Sequence, residues 1–439
     1  MRSPFFVRRV TQPSRPSDFH TPPNARGWWP FVLIVIAAIA ARLVWLGFVH
    51  PMPATDFAWY EHQAIHLLRG EGYRVDGHPT AYFPIGYPLF LAGVYGIAGV
   101  GWWSGVLANV LLNALTAGLV YRLGERLHGR GAGLCGGLSL ALYPPHIAWS
   151  SVLCSEMLFT LLFTWTALWW IRRPAPVWGW RCAAVSGILT GLACIVRPVG
   201  LLLPVALWLY LLSARAGWRR AMGWAVTAAV FMALTVAPVT WRNWVTLRAL
   251  VPVSTNGGVN LWQGNNPRAI GEYFWPADPR ENPFLNYVHD EVRENREAEH
   301  AALQYIEHHP GRTIALGFVK WRNLFRGVDN AYFWSVGHSD PPVSPGFALA
   351  AHRLGLWAYR MLIALAAIGL ILQARAMRRS GDLRPLAMWW MFAYYVGLFF
   401  VFPAWDRMRV PIDPWLACWA SVALMAGIRR FGRRRGAGP

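Results

Sequence analysis

Asp56 stands at the head of a charged, aromatic stretch, PMPATDFAWYEHQAIHLLRGEGY, that follows the first long apolar run. A carboxylate just after an apolar segment can act as a base at an interface. It can equally cap a helix or complement its dipole. Tyr60, Ala64 and Leu67 follow at helical spacing, and Gly70–Tyr73 reads as a turn. Next comes TAYFPIGYPLFLAGVYG (80–96), where prolines and the rings of Tyr82 and Tyr87 would form a rigid aromatic wall or an interfacial anchor. Glu156 lies inside another apolar run, where a carboxylate is costly unless it pairs or faces a wet cavity. Arg197 is its candidate partner. Arg242, Arg407 and Arg409 complete a set of guanidiniums at the ends of apolar runs. Each could snorkel to lipid headgroups. Together, beside an acid, they suit phosphate oxygens, which arginine binds in bidentate fashion.

The elements that must position these residues are apolar helices. The chain has 439 residues, of which 55% are hydrophobic and 14% charged, against about 25% charged in an ordinary soluble protein. Several runs approach the roughly 20 residues needed to span a bilayer. The expected fold class is an all-α polytopic membrane protein. The net charge of +20 invites a nucleic-acid reading. The arginines fall in short clusters between apolar runs, however, which points to membrane orientation and to no nucleic-acid partner. The five cysteines lie in or beside apolar runs without a CxxC motif, as buried inert thiols would.

Residues 1–27 are Arg-, Pro- and Ser-rich and read as a disordered cytoplasmic tail. Ten spans are expected: 28–49 (uncleaved), 102–121, 131–148, 152–171, 181–196, 199–213, 221–238, 354–372, 385–402 and 411–428. Arg42, inside the first, is expected to pair with an acid. The run 87–100 is short. If it does not cross, every Arg cluster (122–130, 172–181, 214–220, 373–384 and 429–435) shares one side with both termini. That side is read as cytoplasmic, with residues 429–439 as a basic tail. The acids fall mostly on the other side, where two structured loops are expected, at 50–101 and 240–353. In the second loop, 251–273 is rich in turns, 286–309 reads as a helix dense in Glu and Arg, and 313–325 as an amphipathic helix on the membrane surface. The loops divide the chain into a first catalytic loop, spans two to seven (102–239), the large loop, and spans eight to ten (354–428).

Some chemistry is excluded. Lys320 is the sole lysine and precedes Trp321, so no P-loop exists. No GxGxxG follows a strand, and HExxH is absent.

These residues, in this order, resemble the integral-membrane glycosyltransferases of the GT-C fold, in the group of protein O-mannosyltransferases and aminoarabinose-type lipid A transferases. The resemblance rests on Asp56, Tyr60, Ala64 and Gly70-x-Gly72-Tyr73, then Pro84 and Tyr87-Pro88-Leu89. It continues through GLACIVRP (191–198), PVTWRNW (238–244), STNGGVNLWQGNNP (254–267) and RMRVPIDP (407–414). It implies a polyprenyl-phosphate sugar donor, an envelope acceptor (glycolipid, polysaccharide or protein), and a site on the extracytoplasmic face of the cell inner membrane. Asp56 would be the general base of an inverting displacement. Arg197, Arg242, Arg407 and Arg409 would meet the donor phosphate, with Tyr60, Tyr82, Tyr87, Glu156 and Asn260 supporting the pocket. The family often places a second acid directly after this Asp. That position is Phe57 here, so no paired carboxylate is on hand for a divalent cation, and the sequence leaves a metal open. A flippase for an anionic polyprenyl lipid would carry polar residues near the membrane midplane, whereas the ionisable residues here gather at one face. An O-antigen ligase or polymerase would carry its catalytic set in the large later loop.

Overall fold

The computed structural model describes residues 28–286 and 290–435. Apolar stretches bounded by Gly and Pro become helices in chain order. The first are α1 (Trp29–Leu46), α2 (Asp56–Leu68), α3 (Gly86–Ala98), α4 (Trp102–His128), α5 (Arg130–Ala141) and α6 (Pro144–Ser150). The next are α7 (Ser155–Trp170), α8 (Trp180–Val196), α9 (Leu203–Ser213), α10 (Trp218–Leu247) and α11 (Gly257–Gly264). The last are α12 (Glu291–His308), α13 (Pro310–Leu324), α14 (Asp329–Ser335), α15 (Pro345–Ser380), α16 (Leu386–Val401) and α17 (Asp413–Arg435). A two-residue hairpin, β1 (Arg74–Val75) with β2 (His78–Pro79), is the only sheet among the described residues.

Five helical segments are long and apolar enough to cross a membrane: Trp29–Leu46, Trp102–His128, Trp218–Leu247, Pro345–Ser380 and Asp406–Phe431. Four shorter apolar helices, Gly86–Ala98, Trp180–Val196, Pro198–Ser213 and Leu386–Val401, accompany them. α4 and the start of α17 lie inside the bundle, in contact with α5. α1, α10 and α15 leave most of their apolar surface uncovered, as lipid-facing helices do. All five cysteines are free.

Three expectations change in the structure. The segment 131–148 is two helices rather than one, because Pro144 and Pro145 cannot continue α5 and start α6 instead. Arg42 is fully buried yet meets no acid. Its Nη1 donates to the carbonyls of Ala38 and Ala141, each at 2.8 Å, and its Nη2 to Asn113 Oδ1 at 2.6 Å. Ala141 is the last residue of α5, so this guanidinium satisfies a carbonyl that the helix break sets free. Residues 429–435, expected as a tail, continue α17. The tail expected at 1–27 lies outside the described residues, as do 287–289 at the start of the charged helix, which begins at Glu291.

α15 and α17 pack backbone to backbone at Gly369, where a Cβ would collide with the carbonyl of Trp419. Small residues permit such approaches between membrane helices. The Arg-rich ends of several helices gather at one end of the bundle. There Gln373 Nε2 donates to His128 Nε2 at 2.7 Å, and Arg126 lies in the field of Arg172 and Arg384. The helix ends bearing Asp56, Glu156, Arg197 and Arg407 meet at the other end.

Replacing Gly369 by Ala should lower stability by about 1–3 kcal/mol through overpacking. Thermal unfolding in detergent tests this. An unchanged midpoint would mean that the two helices do not approach as closely as described.

Candidate active site

The segment Asp406–Ile412 is a 3-10 helix leading into α17. At three residues per turn, positions i and i+3 eclipse, so Asp406 and Arg409 share one side and Arg407 points elsewhere. Asp406 accepts from the backbone N–H of Asn330 at 2.9 Å and from the side-chain amide of Asn330. Arg409, 2% exposed, donates to Asp413 Oδ1 at 3.0 Å and to the carbonyls of Leu324 and Gly327, with its guanidinium 3.9 Å from the Tyr359 ring centre. Tyr395 donates to the Met408 carbonyl at 2.9 Å. Anchored to α13, α14 and α16 in this way, the segment aims Arg407 at the carboxylates.

Arg407 Nε donates to Glu156 Oε1 at 2.6 Å, and its Nη2 donates to Asp56 Oδ2 at 2.7 Å. Glu156 is fully buried in the first turn of α7, where the helix dipole favours a carboxylate. Its Oε1 also accepts from Arg197 Nη1 at 2.6 Å. Arg197 sits immediately after α8. The following Pro198 biases it towards extended backbone, which ends the helix and frees its side chain to turn back. Asp56, Arg407, Glu156 and Arg197 therefore form one chain of contacts, with two acids balancing two guanidiniums.

Asp56 is the first residue of α2, and the N-cap residue before it, Thr55, makes no side-chain cap hydrogen bond. The preceding Thr55 has φ +52°, which is strained for a β-branched residue. Its hydroxyl donates to Asp56 Oδ1 at 3.0 Å. The Asp56 side chain keeps 18% exposure, against 8% for Arg407 and 0% for Glu156, so it is the solvent-facing acid of the group. The Phe57 ring lies under the Arg407 guanidinium at 4.5 Å and edge-on to Trp334 at 5.1 Å. Where the resembled family often has a second acid, this chain has an aromatic shelf that stacks on the cation.

Tyr60, one turn after Asp56, is buried against Tyr87 and Phe83. Burial, and then the Asp56 charge, holds its phenol above the ordinary range. Tyr87 donates to Asn109 Oδ1 at 3.1 Å, which ties α3 to α4. Gly86 permits that seat, since a Cβ there would strike the Ile195 backbone at the end of α8. Tyr82 belongs elsewhere. With Trp59, Phe83, Thr80, Glu291 and Glu294 it lines a cleft of about 600 Å³ alongside α2. There burial, and then the Glu291 charge, lifts the Glu294 carboxyl to about 7.

Two of the expected phosphate ligands are occupied otherwise. Arg242 donates to the carbonyls of Thr80 (2.5 Å) and Tyr73 (2.7 Å), stapling the 73–80 loop to α10. Arg409 is enclosed as described above. Asn260 lies on α11, whose packing partner is α12, and no side-chain hydrogen bond links it to the charged group among the described residues. Thr55 and Ser155 (which accepts from Arg197 Nη1 at 3.2 Å) were not singled out from the sequence, and Phe57 was read only as the place of a missing acid, not as a shelf. Their signals were present but weak: each directly precedes or follows one of the two acids.

The donor set does not fit a divalent cation. Arg407 occupies the space between the two carboxylates, and no group of three His, Cys, Asp or Glu converges among the described residues.

Residues 82–241 match the family model of dolichyl-phosphate-mannose-protein mannosyltransferase. No curated protein matches the chain in sequence. Among solved structures, the archaeal oligosaccharyltransferase AglB from Archaeoglobus fulgidus, in complex with an inhibitory peptide and a dolichol-phosphate, is similar at a TM-score of 0.59 and 11% identity. The match covers 94% of this chain and 51% of that one. The apo form of the oligosaccharyltransferase from the same organism gives 0.57 and 11%, over 94% and 52%. ArnT from Cupriavidus metallidurans bound to undecaprenyl phosphate gives 0.44 and 17%, over 91% and 78%. The chain thus spans about half the length of the oligosaccharyltransferases it matches and shares their membrane-embedded GT-C fold.

Replacing Glu156 by Gln leaves buried Arg407 with Asp56 alone and half-buried Arg197 with no carboxylate among the described residues. Breaking a buried pair in this way should cost about 3–5 kcal/mol. Denaturant unfolding in detergent measures it, and a loss below about 1 kcal/mol would show that the pairs are not desolvated in the protein.

Proposed function

We propose that the chain is a membrane glycosyltransferase that moves a sugar from a polyprenyl-phosphate donor to a hydroxyl of an envelope acceptor, on the extracytoplasmic face. The observation that carries this reading is Asp56. It is the exposed acid of a charge-balanced group, held by one arginine, at the open end of a GT-C bundle. The family match names a dolichyl-phosphate donor, and the oligosaccharyltransferase of like fold was solved with a dolichol-phosphate. The gathering of Arg clusters at the opposite end supports the sidedness. Ten spans, with α3 lying at the outer boundary, are consistent with it.

In this mechanism the acceptor oxygen attacks the anomeric carbon while the bond from that carbon to the phosphate oxygen breaks. The phosphate leaves with the electron pair, and the anomeric centre inverts. Asp56 Oδ1, held among the described residues only by the Thr55 hydroxyl, receives the acceptor proton. Arg407 holds Oδ2 at 2.7 Å and so fixes the direction in which Oδ1 points. A carboxylate is a weak base, adequate when the proton moves late, after the hydroxyl has become acidic. The phosphate falls to Arg197. Among the described residues its Nη2 meets only the thioether sulfur of Met408 at 3.2 Å, a weak acceptor, and its side chain keeps 15% exposure, so it has donor capacity to offer. Charge developing on the leaving phosphate is then stabilised by a guanidinium already in place. Arg242 and Arg409 position the loops around this centre. No step needs a metal.

Asp56→Asn should lower kcat by about 10²–10⁴-fold with purified enzyme and a lipid-linked sugar donor. Transfer near the wild-type rate would remove Asp56 as the base. Arg197→Ala should weaken binding of polyprenyl phosphate while acceptor affinity stays within about twofold. Equal affinity of variant and wild type for the lipid phosphate would take Arg197 out of the donor site.

A further inference from the structure

At the Arg-rich end of the bundle, a cleft of about 310 Å³ opens between the last turns of α15 and the first turn of α16. It is lined by Leu370, Ile371, Ala374, Arg375, Arg378 and Trp389. Positions 371, 374, 375 and 378 share one face of α15. Along that face the lining changes from apolar to cationic over roughly 10 Å, at about 1.5 Å per residue. Neither arginine makes a hydrogen bond or ion pair among the described residues. The acids near this end are engaged: Glu125 by Arg122 at 2.8 Å, and Asp382 by Arg384 at 2.7 Å. The opposite wall is fixed in advance. Trp389 Nε1 donates to Gln373 Oε1 at 2.6 Å, and the same buried oxygen accepts from Trp419 Nε1 at 2.9 Å.

We propose that this cleft binds an anionic phospholipid of the bilayer. The phosphate lies between Arg375 and Arg378, and the first carbons of an acyl chain run along Leu370 and Ile371. Two guanidiniums one turn apart can grip a single phosphate from both sides, and charge-assisted bonds of this kind are strong at a membrane boundary. Arginines that only snorkelled to headgroups would need no apolar cleft and no braced indole beside them. The apolar stretch is what selects a lipid over a free phosphate. The cleft lies at the opposite end of the bundle from Asp56, so this inference stands apart from the transfer chemistry.

The test uses the full chain in detergent, with phosphatidylglycerol and phosphatidylcholine titrated in turn and bound lipids counted by native mass spectrometry. Wild type should hold the first phosphatidylglycerol at least about tenfold more tightly than phosphatidylcholine. The double variant Arg375→Gln, Arg378→Gln should lose that preference, with phosphatidylcholine binding unchanged. Should the double variant not fold, Arg378→Gln alone is read by the same criterion. Equal lipid preference in variant and wild type overturns the site. Displacement of phosphatidylglycerol by millimolar glycerol phosphate overturns the assignment to a lipid, because a soluble phosphate would then suffice.

Discussion

Arg407 donates to Glu156 on α7 and to Asp56 on α2, and nearly every feature at this end of the bundle serves to bring those three groups together. A buried guanidinium has no alternative solvent, so both carboxylates must arrive in register or the arginine is left uncompensated. Asp406 and Arg409 lock the segment carrying Arg407 to α13 and α14. Pro198 turns Arg197 back towards Glu156. The strained Thr55 turns the chain so that α2 begins with its acid facing the cation. The loop leading to Thr55 is itself pinned, since Met52 N–H donates to the His338 carbonyl at 2.9 Å and Trp102 to the Pro51 carbonyl at 2.9 Å.

Much of this was legible in the sequence because charge in an apolar chain is informative. Glu156 and Arg197 each interrupt an apolar run, and a carboxylate in such a place needs a partner, so their pairing could be anticipated. Asp56 and the RMRVP stretch stood out in the same way. What could not be read was which polar atom each guanidinium meets. Arg242, Arg407 and Arg409 look alike as arginines at helix ends, yet one staples a loop through carbonyls, one bridges the acids and one is walled in by Asp413 and Tyr359. That difference depends on the 3-10 turn and on loop carbonyls far along the chain, neither of which hydrophobic periodicity registers. Arg42 shows the same blind spot. Its partner is a carbonyl freed by the break before Pro144, and the proline pair was visible while its consequence for a different helix was not.

Phe57 also acquires a meaning that the sequence alone withheld. Read by position, it is the absence of a second acid. In the structure it is a ring stacked under Arg407, which changes the electrostatics of the centre. A second carboxylate there would add negative charge beside Asp56 and Arg407. The ring instead stacks on the cation that donates to Asp56. The acid that completes the charge balance comes from α7, about a hundred residues later, and lies beneath Arg407 rather than beside Asp56.

The energetics of such a group argue for a role beyond holding the fold. Desolvating four charges is expensive, and a well-packed apolar replacement of a buried ion-pair network is often neutral or stabilising. A bundle with this much apolar surface has no need of ion pairs to cohere. The charged group is confined to the helix ends where α2 begins, and its one exposed acid faces outward while the helices beneath are packed with rings such as Phe159, Phe163 and Trp415. Buried Glu156 and the clamped Arg407 fix the position of Asp56, and in the proposed reaction that position would be set before any substrate arrives, so that it need not be rearranged during transfer.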